Sequence, residues 1–411
     1  MTFAKQAVFR MLGKLRGGVL EIACPEQTYT FGDQTSSLRA CIAVHDERFF
    51  SRILFGGDDA AGDSYVDGDW SSPDVVAVIR VAARNLNQLE SGNRFLGFAS
   101  RLYHRVRHRL NRNTVEGSRR NIHAHYDLSN DFFRLFLDRN MVYSSAVYRH
   151  AGDSLEDAQE EKLDRICRKL SLQPGDRVLE IGTGWGAFAL HASRHYGCTV
   201  TTTTISQEQH DYSRQAFSKA GEAGRRITLL LEDYRNLNGS FNKLVSIEMF
   251  EAVGLDFYDA FFSTCDRLLT PDGSMVMQAI TMNEHRFPAY KSETDWIQRR
   301  IFPGSQLASV REILSSLVRS TKLSMYHLED IGMHYAHTLA EWRRRFHDNI
   351  DQVRALGFDE PFCRTWDYYL AFCEGAFRER HIGDVQLMLT KNANPTLLFG
   401  EQPQWAESLT F

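Results

Sequence analysis

Long apolar runs are missing from this chain of 411 residues: none approaches the roughly 18 residues that a membrane-spanning helix needs. The N-terminus shows no secretory signal. Cysteine is scarce and unpaired in pattern. The seven cysteines are odd in number and form no C-x-x-C pair, which argues against a disulfide framework and against a zinc site. No metal is therefore expected, and a reducing, cytoplasmic setting is the simplest expectation. Internal repeats and low-complexity tracts are also lacking. There is no excess of positive charge: the net charge is −4, so the overall balance gives no support to a nucleic-acid partner. What remains is an ordinary globular composition, 43% hydrophobic and 24% charged, long enough for about two or three domains.

The most informative segment is Arg177-Val178-Leu179-Glu180-Ile181-Gly182-Thr183-Gly184-Trp185-Gly186. Apolar residues lead into an acid, and three glycines at alternate positions precede a helical stretch, Ala187–Tyr196. Glycines there admit close approach of a ligand, and the following helix start is partly positive. One reading is S-adenosylmethionine (SAM), with its methionyl end at the glycine turn. The other is a dinucleotide, because the run through Ala187 also fits G-x-G-x-x-G/A. The second strand, Thr199–Thr204, leads into Ile205-Ser206 without the acid that an NAD site wants.

The surrounding pattern alternates helix and strand. Leu155–Leu170 reads as a helix, and Arg177–Ile181, Thr199–Thr204, Ile227–Leu231, Lys243–Ile247 and Ser274–Ile280 read as strands. That rhythm predicts a Rossmann-like, doubly wound α/β domain, with ligands beyond the carboxyl ends of its strands. Glu180, Thr204, Asp233 and Glu251 fall at or just after such ends. Residues 17–100 instead show short apolar runs broken by turns, then a helix from Val75 opened by Ser71-Ser72-Pro73-Asp74. The expected division is a small α+β, lipid-binding domain over 1–105, a basic linker over 106–120 and a catalytic domain over 121–395.

Basic residues are unevenly placed. Lys5, Arg10, Lys14 and Arg16 interleave with Phe3, Val8, Phe9, Met11, Leu12 and Leu15, and no acid precedes Glu21. This suits either an amphipathic helix on an anionic bilayer or a first helix docked on its own domain. Residues 101–120 carry Arg101, Arg105, Arg107, Arg109, Arg112, Arg119 and Arg120 against Glu116 alone. Such a stripe suits a solvated linker or phospholipid headgroups.

A wider set of segments carries a resemblance. These are Asn121–Phe133, Met141–Ala146, Val178–Gly186, Thr204–Gln209, Glu248-Met249-Phe250-Glu251-Ala252-Val253-Gly254, Ile301–Gly304, Asp330–Tyr335 and Cys373–Arg378. In this order they resemble the cyclopropane-fatty-acyl-phospholipid synthase family across most of 120–390. Gly62–Gly68 matches more weakly. The resemblance implies transfer of a methylene from SAM to a cis double bond of a phospholipid's unsaturated acyl chain. The protein would then associate peripherally with a membrane surface, and a second copy of the chain is a candidate partner.

The resemblance assigns SAM to Tyr143, Ser144, Glu180, Gly182, Gly184, Trp185, Gly186, Thr204, Ile205, Ser206, Gln209, Asp233 and Tyr234. It implies bicarbonate as general base, held by Ser145, Glu251, Gln278, Ile280 and Tyr335, with Glu251 orienting it through Tyr335 and Gln278. Two positions depart from the commoner pattern: Ser145 stands where many members have cysteine and Gln278 where many have histidine. Cys373 aligns with a cysteine often described as catalytic, although its setting in Leu370-Ala371-Phe372 is that of a packed apolar residue. After Gly304 the chain reads Ser305-Gln306-Leu307-Ala308-Ser309 instead of a glycine- and proline-containing loop. Other outcomes remain open: a methyl-branched or methylene lipid from the same alkene, amine N-methylation, or a non-catalytic SAM- or lipid-binding protein.

Overall fold

A computed structural model describes residues 2–86 and 128–394. The arginine-rich stripe at 101–120, the segment 121–127 and the expected boundaries at 105, 120 and 395 lie outside these. The described chain divides into two compact units. One takes 2–86, 285–303 and 336–382; the other takes 128–284, 304–335 and 383–394.

The first unit opens with α1 (Phe3–Leu12), capped by the Thr2 hydroxyl, which accepts from Lys5 N at 3.3 Å. Strands β1 (Val19–Ala23), β2 (Thr28–Gly32), β3 (Arg39–Val44) and β4 (Trp70–Ser71) form a sheet in the order β2-β1-β3-β4. The apolar run Phe49–Phe55 lies within helix α2 (Arg48–Val66). Helix α3 (Val75–Arg84) starts as expected at Asp74, whose carboxylate accepts from Ala77 N at 2.9 Å. Lys5 does not belong to the exposed basic face of α1. It is only 1% exposed, ion-paired with Glu26, with its ammonium 5.3 Å from the Phe50 ring centroid and 5.6 Å from that of Tyr29. This helix docks on its own unit through Lys5 and Val8, leaving Phe3, Arg10 and Lys14 exposed. The Gly62–Gly68 motif serves packing here. A Cβ on Gly62 would lie 2.5 Å from the Trp296 indole nitrogen, which donates to Asp63 at 3.0 Å.

The second unit is built on a seven-stranded sheet. Helix α4 (Leu155–Lys169) is capped by Ser154, carries Glu156 and Asp157 in its first turn and ends on Arg168 and Lys169, a charge order that suits the helix dipole. Next come β5 (Arg177–Ile181), α5 (Ala187–Tyr196), β6 (Thr199–Thr204), α6 (Gln207–Lys219), β7 (Ile227–Leu231), β8 (Phe241–Ile247), α7 (Tyr258–Leu268) and β9 (Leu269–Met282). Helix α8 (Val310–Ser320), β10 (Ser324–Asp330), α9 (Gly332–Asp348), α10 (Glu360–Arg378) and β11 (Ile382–Thr390) complete the described chain, with α9 opening in this unit and α10 in the other. The strand order is β10-β11-β9-β8-β5-β6-β7, parallel from β9 to β7 and antiparallel between β10 and β11. This is the expected Rossmann-like α/β architecture.

Alternate residues of the central strands feed opposite cores. Leu179, Leu244 and Met275 join Phe261 and Phe262 on one face, while Val178, Val245 and Val276 join Ile166 and Phe188 on the other. The polar residues of the candidate site come from the turns after β5, β6, β7 and β8 and from buried positions within the strands, among them Glu180, Gln278, Asp384 and Gln386.

Candidate active site

The glycine turn follows β5. Gly182, Gly184 and Gly186 have φ of 101°, 53° and 90°, all in the region that disfavours a side chain. A Cβ on Gly184 would meet nothing within 4 Å, so the space over the turn is open to a ligand. Glu180 lies in β5 beneath it, 2% exposed, and accepts from the Thr202 hydroxyl at 2.6 Å; Thr202 is 2.7 Å from Thr183 Oγ1. Burial pushes the Glu180 pKa up to about 8, against the opposing pull of Thr202 and Lys162. After β6, the Thr204 hydroxyl donates to Gln209 Oε1 at 2.8 Å, and Ser206 caps α6 by accepting from Gln209 N; Ile205 stands between them. After β7, Asp233 is held by Arg235, its two oxygens accepting from Nε at 2.8 Å and Nη2 at 2.6 Å. Tyr234 packs edge-on to Phe261, and burial raises its phenol pKa. Trp185 donates to Asn130 Oδ1 at 2.7 Å and meets Phe133, whose ring also contacts Tyr143. The Ser144 hydroxyl accepts from Lys162 at 2.6 Å.

The turn after β8 holds a dense polar cluster. Glu248 has φ +47°, a strained value for a side-chain-bearing residue. It accepts from Ser145 N at 2.8 Å, Gln278 Nε2 at 2.7 Å and the Tyr335 hydroxyl at 2.8 Å. Glu251, three residues on, accepts from Ile280 N at 2.5 Å through Oε1, whereas its buried Oε2 has no hydrogen-bond partner. Burial, and then the Glu248 charge, push the Glu251 pKa up to about 8. Asp384 on β11 is fully buried, accepts from Gln278 Nε2 at 3.0 Å and lies within hydrogen-bonding reach of Glu248. Burial and the two glutamates hold its carboxyl well above the usual range. Burial raises Glu248 as well, but its three donors oppose that and favour its ionised form, so of the two Asp384 holds a proton the more readily. Lys162, also buried, has its pKa drawn down to about 8 by desolvation, which Glu248, Asp138, Asp384 and Glu180 oppose.

Ser145, Glu251, Gln278, Ile280 and Tyr335 thus come together in one unit, around Glu248 rather than around Glu251. Tyr335 and Gln278 serve Glu248, and Ser145 contributes its backbone N–H while its hydroxyl donates to Ala146 O at 3.0 Å. Cys373 belongs to the other unit. Burial and Asp295 raise its thiol far above the range in which a thiolate forms near neutral pH. The departing loop is anchored at the site: Gln306 N donates to Glu251 O at 2.8 Å. Glu248, Asp384 and Lys162 had no role assigned from sequence. Asp384 and Gln386 alternate with Val385 and Leu387 in a buried strand, a period-2 polar signal that marked them.

This site sits within the region that comparison with known proteins covers. The profile of the mycolic acid cyclopropane synthetase family matches residues 114–387. Tuberculostearic acid methyltransferase of Mycobacterium tuberculosis is 37% identical over 81% of this chain and 79% of its own. Cyclopropane-fatty-acyl-phospholipid synthase of Escherichia coli is 36% identical over 85% of this chain and 87% of its own. Among solved structures, the mycolic acid cyclopropane synthase CmaA1, complexed with SAH and CTAB, superposes with a TM-score of 0.61 at 33% identity, covering 66% of this chain and 98% of that one. The glycine turn, the carboxylate cluster and a match running through both place this chain in the cyclopropane synthase family of SAM-dependent methyltransferases.

Proposed function

We propose that the protein transfers a methylene group from SAM to a cis double bond in a phospholipid acyl chain, with bicarbonate as proton acceptor. The observation that carries this reading is Glu251 Oε2, a buried carboxyl oxygen without a partner beside a saturated neighbour. Leaving such an atom unsatisfied costs about 1–3 kcal/mol, which a ligand able to hydrogen-bond there would recover. When bound, SAM supplies an electrophilic methyl to a weakly nucleophilic alkene, and bicarbonate supplies the acceptor for the one proton that leaves before the ring closes. Gly182, Gly184, Gly186, Ser206 and Asp233 would hold SAM, as backbone donors and acceptors suited to its carboxylate and ribose.

The chain's own residues set the conditions for this chemistry. Ile280 N pins one oxygen of Glu251 and leaves the other directed at the ligand. Tyr335, Gln278 and Ser145 N absorb the charge of Glu248, so a second anion is tolerated nearby. The proton on Asp384 and the Lys162 ammonium reduce the negative charge further. Burial keeps water from the cationic acyl chain. The N-terminal unit is assigned to phospholipid binding at an anionic surface, through the exposed Phe3, Arg10 and Lys14.

A second reading, formation of a methyl-branched or methylene lipid, draws support from the near-equal similarity to a methyltransferase and to a cyclopropane synthase. Mass spectrometry of lipids from cells expressing the chain on methyl-labelled methionine tests both. The proposal expects labelled acyl chains that have gained one methylene unit in a ring. Labelled branched chains support the second reading, and label confined to amines contradicts both.

A further inference from the structure

A line of buried amides connects the carboxylate cluster to an ammonium group away from it. Lys169, 2% exposed at the end of α4, donates from Nζ to Gln386 Oε1 at 2.6 Å. Gln386 Nε2 donates to Gln278 Oε1 at 3.0 Å. Gln278 Nε2 then donates to both Glu248 Oε1 and Asp384 Oδ2. Both glutamines are 0% exposed, which shields their amides from bulk solvent. Lys169 is itself fixed by Glu329, 2.7 Å from its Nζ and also paired with Arg165.

The direction of this line follows from its first member. An ammonium only donates, so Gln386 must turn its oxygen to Lys169 and its NH₂ to Gln278. Gln278 must then accept with its oxygen, which sends both of its N–H groups toward the carboxylates. A primary amide has no intrinsic preference between its two orientations; in the flipped one, the Gln278 oxygen would face Glu248 Oε1 and leave two acceptors opposed.

We propose that Lys169 and Gln386 are positioning residues for the proton-transfer site, fixing the Gln278 amide so that it donates to Glu248 and Asp384. This rests on the methylene-transfer reading for its effect on turnover, but the orientation is testable without it. Gln386→Glu keeps size and the Lys169 contact while replacing the donor that faces Gln278 with an acceptor, which inverts the Gln278 amide. In the double variant Gln386→Glu/Gln278→His, an imidazolium donates at once to the introduced carboxylate and to Glu248, which restores the polarity.

The test is thermal unfolding of the wild type, both single variants and the double variant, with turnover and SAM affinity measured in parallel. The double variant is expected to melt above Gln386→Glu. Turnover is expected to fall by at least ~10-fold in Gln386→Glu, on the scale of a mispositioned acid–base group, with SAM affinity within about twofold, and to recover in the double variant. Should Gln386→Glu fail to fold, Lys169→Met, which removes the orienting cation, must show the same kcat loss at unchanged KM. Additive melting shifts, or wild-type turnover in Gln386→Glu or Lys169→Met, overturn the proposal. A wild type that modifies no lipid contradicts the functional reading instead, and the melting cycle still decides the orientation.

Discussion

Glu248 and Glu251 lie three residues apart with opposite hydrogen-bond balances: Glu248 accepts from three donors, while Glu251 accepts from one and keeps a buried oxygen without a partner. The difference separates their roles. Glu248 is saturated by Ser145 N, Gln278 and Tyr335, and the proposal gives the unsatisfied Glu251 the ligand.

The raised pKa of Glu251 has a consequence for stability. Its folded value, about 8, exceeds the ordinary value of 4.5, so the folded protein binds the proton that the unfolded chain has released. Stability from this group is fully present below pH ~4.5 and is lost as pH rises through about 8, by up to roughly 1.4 kcal/mol per pH unit. Glu180 acts in the same direction. Glu251→Gln is therefore expected to flatten the decline of the melting midpoint between pH 5 and 8, approximate limits drawn from these values. Differential scanning fluorimetry of both proteins across that range measures it, and parallel declines contradict the assignment.

Gly184 combines a left-handed φ of 53° with open space over its Cα. A valine there meets backbone strain of about 1–2 kcal/mol and fills the space assigned to the ligand. Gly184→Val is expected to abolish SAM binding by calorimetry while the N-terminal unit stays folded. Near wild-type affinity would remove SAM from this turn.

Ser145 contacts Glu248 through its backbone, and its hydroxyl donates to Ala146 O. Ser145→Ala is thus expected to keep turnover within about threefold, since only a neutral hydrogen bond of roughly 1 kcal/mol is lost. A fall of ~10²-fold in steady-state assays would show that the hydroxyl itself serves the reaction.

Much of this architecture could be read in the chain. The helix at Ala187–Tyr196 and the strands at Arg177–Ile181, Thr199–Thr204 and Ile227–Leu231 have their expected bounds, because these strands are continuous apolar or β-branched runs closed by turn residues. Lys5 was legible only as a charge. Its burial depends on Glu26 and three rings brought together by the fold, which helical periodicity does not encode. The segments that supply Tyr335 and Glu251 were likewise visible, but not that Tyr335 would bond to Glu248. Two acids three residues apart look alike until a strained φ at one of them turns it toward Ser145 and Gln278.

The N-terminal surface gives a separable prediction. Each basic residue near an anionic leaflet contributes roughly 1 kcal/mol, falling off within a Debye length. Replacing exposed Arg10, Lys14 and Arg16 by Gln is expected to weaken sedimentation with anionic vesicles, most at low salt, without lowering the melting midpoint. Lys5→Gln is expected to do the reverse, because Lys5 is buried against Phe50 and Glu26. Vesicle binding indifferent to the triple replacement would move the membrane contact elsewhere.

The role proposed for Glu251 is tested most directly by the bicarbonate dependence of phospholipid methylation in wild type and Glu251→Gln. Glutamine keeps the acceptor for Ile280 N but replaces the unpartnered carboxylate oxygen by an amide. Turnover is expected to fall by at least ~10²-fold, the scale of losing a positioned acid–base group, and the wild-type response to added bicarbonate is expected to disappear while SAM affinity is unchanged. Full turnover by Glu251→Gln in bicarbonate-depleted buffer would contradict the role of Glu251 in holding the proton acceptor.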